Sequence, residues 1–171
     1  MWMQTFLGND FVFEEPENIQ IEDIAHSLGN LCRFGGHCRP FYSVADHSLH
    51  VSQRCKHKLW GLLHDASEAY IGDIIQPFKY NPRWYPFLKQ LETIIEKVIA
   101  KKFNLPWPMP DEIKMVDARM WATEQRDLMN QPNFDWEINI EPYPGKIISR
   151  GFVGDLFLRR FYMLSDTSLG R

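Results

Sequence analysis

The sequence predicts an all-α helical bundle that carries a small β-hairpin at its start. Apolar residues recur at intervals of three and four through most of the chain, the repeat of helices with one buried face. Residues 1–13 depart from it, alternating aromatic and polar residues around Gly8-Asn9-Asp10, as a strand pair does. The length of 171 residues with 44% apolar, 14% aromatic and 24% charged composition fits one globular domain over 1–171.

The hairpin is expected over 2–6 and 10–13, with a turn over 14–18 holding Pro16. Ile21, Ile24, Ala25 and Leu28 mark a first helix, which Gly29 or the Gly35-Gly36 pair ends. Ser43 can cap a second helix, and Asp46 three residues on suits a capping box. That helix runs to Cys55 with Val44, Leu49 and Val51 inward and His47 among them. A third spans 58–70, with Leu59, Leu62, Leu63 and Ala66 inside and Gly72 as its breaker. A long amphipathic helix over 85–103 buries Leu88, Leu91, Ile94, Ile95, Val98 and Ile99. Pro106, Pro108 and Pro110 hold the next loop open, and Asp111 starts a helix to about Met129. The last helix, near 153–164, has Phe152, Leu156, Phe157, Arg160 and Phe161 at docking spacing.

Net charge is −3, which argues against a partner that is a nucleic-acid polymer, since such binders carry a basic excess. Cys32, Cys38 and Cys55 are too few for a disulfide framework, and C-x5-C matches no common zinc spacing. They read as small core or near-core residues with free thiols. The opening residues lack the basic start and apolar run of a secretion signal, and no stretch is long enough to cross a membrane. The expectation is a cytoplasmic protein.

The strongest local signal is Leu62-Leu63-His64-Asp65-Ala66-Ser67-Glu68. A carboxylate inside an apolar helix needs a partner or a metal to offset lost hydration. Helical spacing puts Asp65 and Glu68 on adjacent turns of one face. His47 interrupts an apolar stripe in the same way, and so does Asp117 within the stripe Ile113, Val116, Met120. Each alone has a plain structural reading: a core imidazole, or a carboxylate paired with Arg119 or Arg126. Jointly they supply two imidazoles and two carboxylates from three helices. Such a set suits Zn²⁺, Mn²⁺, Fe²⁺, Co²⁺ or Ni²⁺ with positions left for water and substrate. Glu124, one heptad after Asp117, reads as the structural partner of an arginine, and His26, His50 and His57 as structural, although His26 could approach the site.

The order His47, His64-Asp65, Asp117 resembles the HD superfamily of phosphohydrolases. The stretches Tyr42-Ser43-Val44-Ala45-Asp46-His47-Ser48, His64-Asp65-Ala66-Ser67-Glu68, Gly72-Asp73-Ile74 and Pro77-Phe78-Lys79 are similar to bacterial 5′-deoxynucleotidases. They are closer still to small phage HD hydrolases, a group that includes dATP triphosphohydrolases. The similarity covers roughly residues 19–129.

The resemblance implies an HD-domain fold with His47, His64, Asp65 and Asp117 as metal ligands and Glu68 as the acid or base. It implies Asp73 accepting from the sugar 3′-hydroxyl. Arg33 would hold a phosphate, Phe34 would crowd the ribose 2′ position, and Pro77 would belong to the base pocket. Lys79 and His37 would reach phosphates, on which Mg²⁺ is a further option. The activity expected is hydrolysis of a deoxynucleoside triphosphate, dATP first, to deoxynucleoside and triphosphate, by a homo-oligomer (dimer or hexamer). A phage-encoded enzyme working in the host cytoplasm is one form this takes. Removal of one phosphate from deoxynucleoside monophosphates is the runner-up. A two-iron oxygenase on the same scaffold would need extra histidines, for which only His26, His37 and His50 offer themselves. A non-catalytic nucleotide-binding module would be expected to lack a ligand, and all four are present.

Overall fold

Apolar stripes that cannot face water fold this chain into packed helices around a two-part core. A computed structural model describes residues 3–12, 15, 18–130 and 139–166. The elements are β1 (Met3–Gln4), β2 (Asp10–Phe11), α1 (Ile21–Asn30), a Arg33–Gly36 turn, α2 (Val44–Arg54) and α3 (Lys58–Leu63). α4 (Glu68–Ile71), α5 (Gln76–Lys79), α6 (Tyr85–Lys102), α7 (Asp111–Leu128) and α8 (Gly154–Asp166) follow. The architecture is mostly helical, as the periodicity predicts.

The hairpin is shorter than expected. β1 and β2 pair antiparallel, Met3 opposite Phe11 and Gln4 opposite Asp10. Trp2 and Phe13, at its expected limits, and Pro16 in the expected turn lie outside the described residues. α1 stops at Asn30, so neither Gly29 nor Gly35-Gly36 ends it. Gly29 lies inside the helix because α1 crosses α8 closely there. A Cβ on Gly29 would stand 2.8 Å from the Phe152 ring and 3.1 Å from Gly154 N. The glycine is selected by packing.

Ser43 caps α2 as read, its hydroxyl accepting from Asp46 N at 3.2 Å. The reciprocal arm of a capping box is not made. Asp46 turns instead to Arg150, accepting from its backbone N at 2.9 Å and its Nε at 2.7 Å. The segment before α8 is thereby pinned to α2. Its earlier part lies along α7, with Tyr143 N on Thr123 Oγ1 at 2.9 Å and Ile147 N on Asp127 Oδ2 at 2.8 Å.

The largest departure from the sequence reading concerns the expected helix over 58–70. It is two helices, α3 and α4, joined by a turn over 64–67. Ala66 N reaches Leu63 O, Glu68 N reaches Asp65 O and Ala69 N reaches Ala66 O, each spanning three residues. The chain keeps coiling but at the tighter 3₁₀ pitch. α3 also approaches α2 closely at Gly61, where a Cβ would press on Cys55 Sγ and stand 3.1 Å from Ser52 Cα. α5, after the breaker Gly72, was not expected.

The core has two parts. One gathers Ile24, Leu28, Leu49, Leu62, Leu63, Ile95, Ile99 and Phe157 between α1, α2, α3, α6 and α8. The other gathers Tyr42, Val51, Trp60, Ile113, Met120 and Leu128 between α2, α3 and α7. The three cysteines are free, Cys55 buried and Cys32 and Cys38 partly so, as near-core residues should be. Among the described residues, no helix is long and apolar enough to cross a membrane.

Candidate metal centre

His47 and His64 face each other where α2 and α3 come together. Their Nε2 atoms are 3.1 Å apart, and both residues are buried. The other nitrogen of each ring is already committed. His64 Nδ1 lies 3.0 Å from Gly61 O, which can only accept. His47 Nδ1 lies 2.6 Å from Glu124 Oε1, a carboxylate oxygen 0% exposed. Both partners call for a proton on Nδ1, so the hydrogens assigned from them leave Nε2 bare on both rings.

Two carboxylates complete the convergence. Asp65 Oδ2 is 3.2 Å from His64 Nε2 and 3.5 Å from His47 Nε2. Asp117 Oδ1, arriving from α7, is 3.0 Å from His47 Nε2 and 3.9 Å from His64 Nε2. Lone pairs from four side chains thus point at one spot, an arrangement that repels itself unless a cation or extra protons sit among them. Proton affinities register the same demand. Burial works against protonating His64, yet Asp65 and Asp117 carry its pKa well above the usual imidazole range. Burial and Arg33 oppose protonation of His47, but Glu124 and Asp117 outweigh them and raise it. Burial would raise both carboxylates; the imidazoles instead hold Asp65 and Asp117 below the usual range. His47, His64 and Asp65 offer ligand atoms within 4.8 Å of one another and could hold a metal ion.

Glu124 organises this centre more than its reading as an arginine partner implied. It does pair with an arginine, through Oε2 to Arg33 Nε at 3.2 Å. Its Oε1 also takes His47 Nδ1 and the Tyr42 hydroxyl, the latter at 2.8 Å. Arg33 reaches on to Asp65 Oδ2 at 3.4 Å. One buried carboxylate thereby orients an imidazole and places a guanidinium beside the cluster. Its signals in the sequence were its position seven residues after Asp117 and its interruption of an inward-facing stripe.

A cleft of about 90 Å³ opens beside the cluster, lined by His64, Asp65, Ser67, Glu68, Lys79, Glu92, Glu96, Lys114 and Asp117 among others. At roughly 30 Å³ per water it holds a few waters. Glu68 is buried, and its Oε1 accepts from Lys79 Nζ at 2.9 Å while its Oε2 has no protein partner. Burial first, then the Asp65 charge, push its pKa up to about 8 against the pull of Lys79. Lys79 also meets Glu92 at 3.3 Å, so here it serves the glutamates. Glu92 and Glu96, which sequence reasoning missed, interrupt the inner stripe of α6 next to Leu91 and Ile95.

The remaining expected site residues are less closely gathered. Phe34 sits under the Arg33 guanidinium, 5.5 Å from its ring centre, with φ of 55°, a left-handed conformation that costs a phenylalanine on the order of 1 kcal/mol or more. Asp73 follows Gly72, half-buried, and burial raises its pKa against Arg33 and Lys79. His37 and Pro77 are exposed, Pro77 in the first turn of α5. Asp117 has neither Arg119 nor Arg126 as partner: Arg119 donates to Glu141 O and Arg126 to Asp127. His26 stacks on Phe6 and does not approach the centre; His50 Nε2 lies 3.7 Å from Asp46 Oδ1 and His57 pairs with Glu112, both away from the cluster as structural histidines. The additional imidazoles of a two-iron centre are therefore not gathered here among the described residues.

Comparison with curated proteins finds relatives. The chain is 37% identical over 175 residues to the uncharacterized protein YfdR of Escherichia coli (strain K12), covering 96% of both chains. It is 33% identical over 127 residues to an uncharacterized protein of Rhodobacter capsulatus, covering 66% of this chain and 63% of that one. No model of a known protein family matches the chain.

Proposed function

The chain belongs to the family of Escherichia coli YfdR, and from the geometry of its centre we propose a metal-dependent phosphohydrolase of the HD type that acts on 2′-deoxynucleotides. The observation that carries the reading is the convergence of two bare imidazole nitrogens and two carboxylate oxygens beside a buried glutamate with one unpartnered oxygen. His47, His64, Asp65 and Asp117 would hold the ion, and that N/O set suits Zn²⁺, Mn²⁺, Fe²⁺, Co²⁺ or Ni²⁺. Bound there, a divalent ion lowers the pKa of a water and offsets charge on a phosphoryl oxygen.

The chain's own groups supply the rest. Glu68 keeps its carboxyl out of bulk water beside the cluster, where it can hand a proton to the leaving oxygen or take one from the attacking water. Its free Oε2 is the atom placed for that exchange. Arg33 offers a substrate phosphate a fork of donors by giving up its 3.4 Å contact to Asp65, the longer of its two ion pairs. Phe34 stands against that guanidinium and would there crowd a ribose 2′-hydroxyl. Asp73 would accept from the 3′-hydroxyl, Pro77 would form part of the base pocket and His37 would reach the phosphates.

The leading substrate is a deoxynucleoside triphosphate, dATP first, giving deoxynucleoside and triphosphate. The cleft itself favours a second reading. Five carboxylates line it against the two ammonium groups of Lys79 and Lys114. A triphosphate tail would have to bring its own counter-ions, Mg²⁺ for example, whereas a monophosphate would need fewer; a 5′-deoxynucleotidase is therefore the alternative. One experiment tests both. The protein is assayed with Zn²⁺, Co²⁺ or Mn²⁺ on dNMPs, dNTPs and rNTPs, with orthophosphate and triphosphate quantified separately. Asp65→Ala should abolish bound metal and turnover while far-UV circular dichroism persists. Full turnover by metal-stripped Asp65→Ala protein would overturn the proposal.

A further inference from the structure

A second cavity, of about 640 Å³, lies between the hairpin and helices α1 and α4. That volume falls within the usual range for small-molecule sites, and its wall mixes aromatic surface with a few polar groups in the usual way. Three residues of its wall carry buried side-chain atoms without a hydrogen-bond partner among the described residues: Thr5 Oγ1, Asp23 Oδ2 and the Tyr70 hydroxyl. Buried polar atoms are nearly always paired, so three around one cavity call for an occupant.

Asp23 fixes its chemistry. The residue is 3% exposed, and its Oδ1 accepts from Leu7 N at 2.8 Å, which ties the hairpin turn to α1. Its place in the first turn of α1 gives it some support from the helix dipole. No ion pair reaches it among the described residues, and neither lysine nor arginine lines the cavity. A phosphate or carboxylate ligand would meet only a buried negative charge. A donor, preferably cationic, would satisfy Oδ2.

The walls fix its shape. Phe6 stacks on His26 with ring centres 3.7 Å apart, and Phe11 stacks on Tyr70 at 4.1 Å. Phe6, His26 and Tyr70 belong to the cavity wall. His26 in turn sits 3.3 Å from the Asn30 amide nitrogen.

We propose that the hairpin cavity is a binding site for a small flat organic cation, an aryl amidinium or aryl ammonium, whose N–H groups meet Asp23 Oδ2 and whose ring lies against Phe6 and Tyr70. This stands on observations separate from the metal centre and does not depend on the proposed activity. The test uses benzamidine as probe and benzoate, of the same shape and opposite charge, as control, by isothermal titration calorimetry on the full chain. Benzamidine should bind one to one and saturably, and benzoate should not bind. Asp23→Asn, which retains an acceptor for Leu7 N, should weaken benzamidine tenfold or more, as loss of a charged hydrogen bond does.

The metal cleft is also acidic, so the titration is repeated on Asp65→Asn, where affinity should be unchanged. If Asp23→Asn does not fold, Ala69→Leu, which narrows the cavity from α4, replaces it with the same expected loss. Benzoate binding as well as benzamidine, unchanged affinity in the cavity variant, or loss confined to Asp65→Asn would each overturn the assignment.

Discussion

Glu124→Gln is the most searching change to make, because it alters one buried atom and leaves all four ligands of the proposed ion in the chain. The glutamate serves three donors: His47 Nδ1 at 2.6 Å and the Tyr42 hydroxyl at 2.8 Å on Oε1, and Arg33 Nε at 3.2 Å on Oε2. Glutamine keeps the shape but has one carbonyl oxygen, so its amide nitrogen must face a donor on one side. With the oxygen toward His47 and Tyr42, the amide opposes Arg33, which loses its nearest counter-charge. Breaking a buried pair costs about 3–5 kcal/mol. Asp65 still lies 3.4 Å from Arg33, so the lower end, about 3 kcal/mol, is expected. The neutral carbonyl still accepts from His47 Nδ1 but no longer lends the imidazole the basicity a carboxylate does, and changing such a partner of a metal-binding histidine typically costs about 10–100-fold in metal affinity. The assay is competition for Zn²⁺ against a chelator of known affinity, with a urea melt of the apo protein run alongside to separate folding from binding. A folded Glu124→Gln protein that holds Zn²⁺ as tightly as wild type would refute the role given to Glu124.

Three further outcomes are expected. Glu68→Ala should retain bound metal but lose about 10²–10⁴-fold in kcat, the usual loss for an acid–base group; wild-type turnover would move that role elsewhere. Phe34→Ala should narrow the preference for dATP over ATP in kcat/KM, and equal rates for the two in the wild type would remove the sugar gate while leaving the metal centre untouched. Burial first, then the Arg150 charge, depress the His50 pKa to about 4, so the unfolded chain takes up a proton near pH 6.5 that the folded chain refuses. Stability should therefore fall by roughly 2–3 kcal/mol from pH 6.5 to 4, and urea midpoints of His50→Gln should lack that part of the slope.

The parts of the centre legible in the sequence were those that broke a local rule. His47 and Asp117 stood out because each interrupts an apolar stripe, and His64-Asp65 because a charged group is costly in a buried turn. Ser43 announced the start of α2 by its own hydroxyl chemistry. What stayed hidden depends on the approach of distant segments. Glu124 interrupts its stripe too, but its ties to His47 and Arg33 span 77 and 91 residues, a pairing that periodicity does not encode. Gly29 looks like a helix stop, and only the crossing with α8 explains it as a packing residue. The division of α3 from α4 was invisible for a different reason. Hydrogen bonds spanning three residues and four residues need the same side chains at nearly the same spacing.

That division matters to how the centre works. In a straight α-helix, residues three apart are displaced by roughly 60° around the axis. At the 3₁₀ pitch they eclipse. The tightened bonds from Leu63 to Ala69 therefore bring Asp65 and Glu68 to the same side of the chain, where both line the cleft. Asp65 meets His47 and His64, while Glu68, one tight turn further on, stays off the cluster and keeps one oxygen free. The next two residues, Ala69 and Tyr70, line the hairpin cavity. On the proposed reading, the division of labour between a ligand and an acid–base group would be set by the pitch of a single turn.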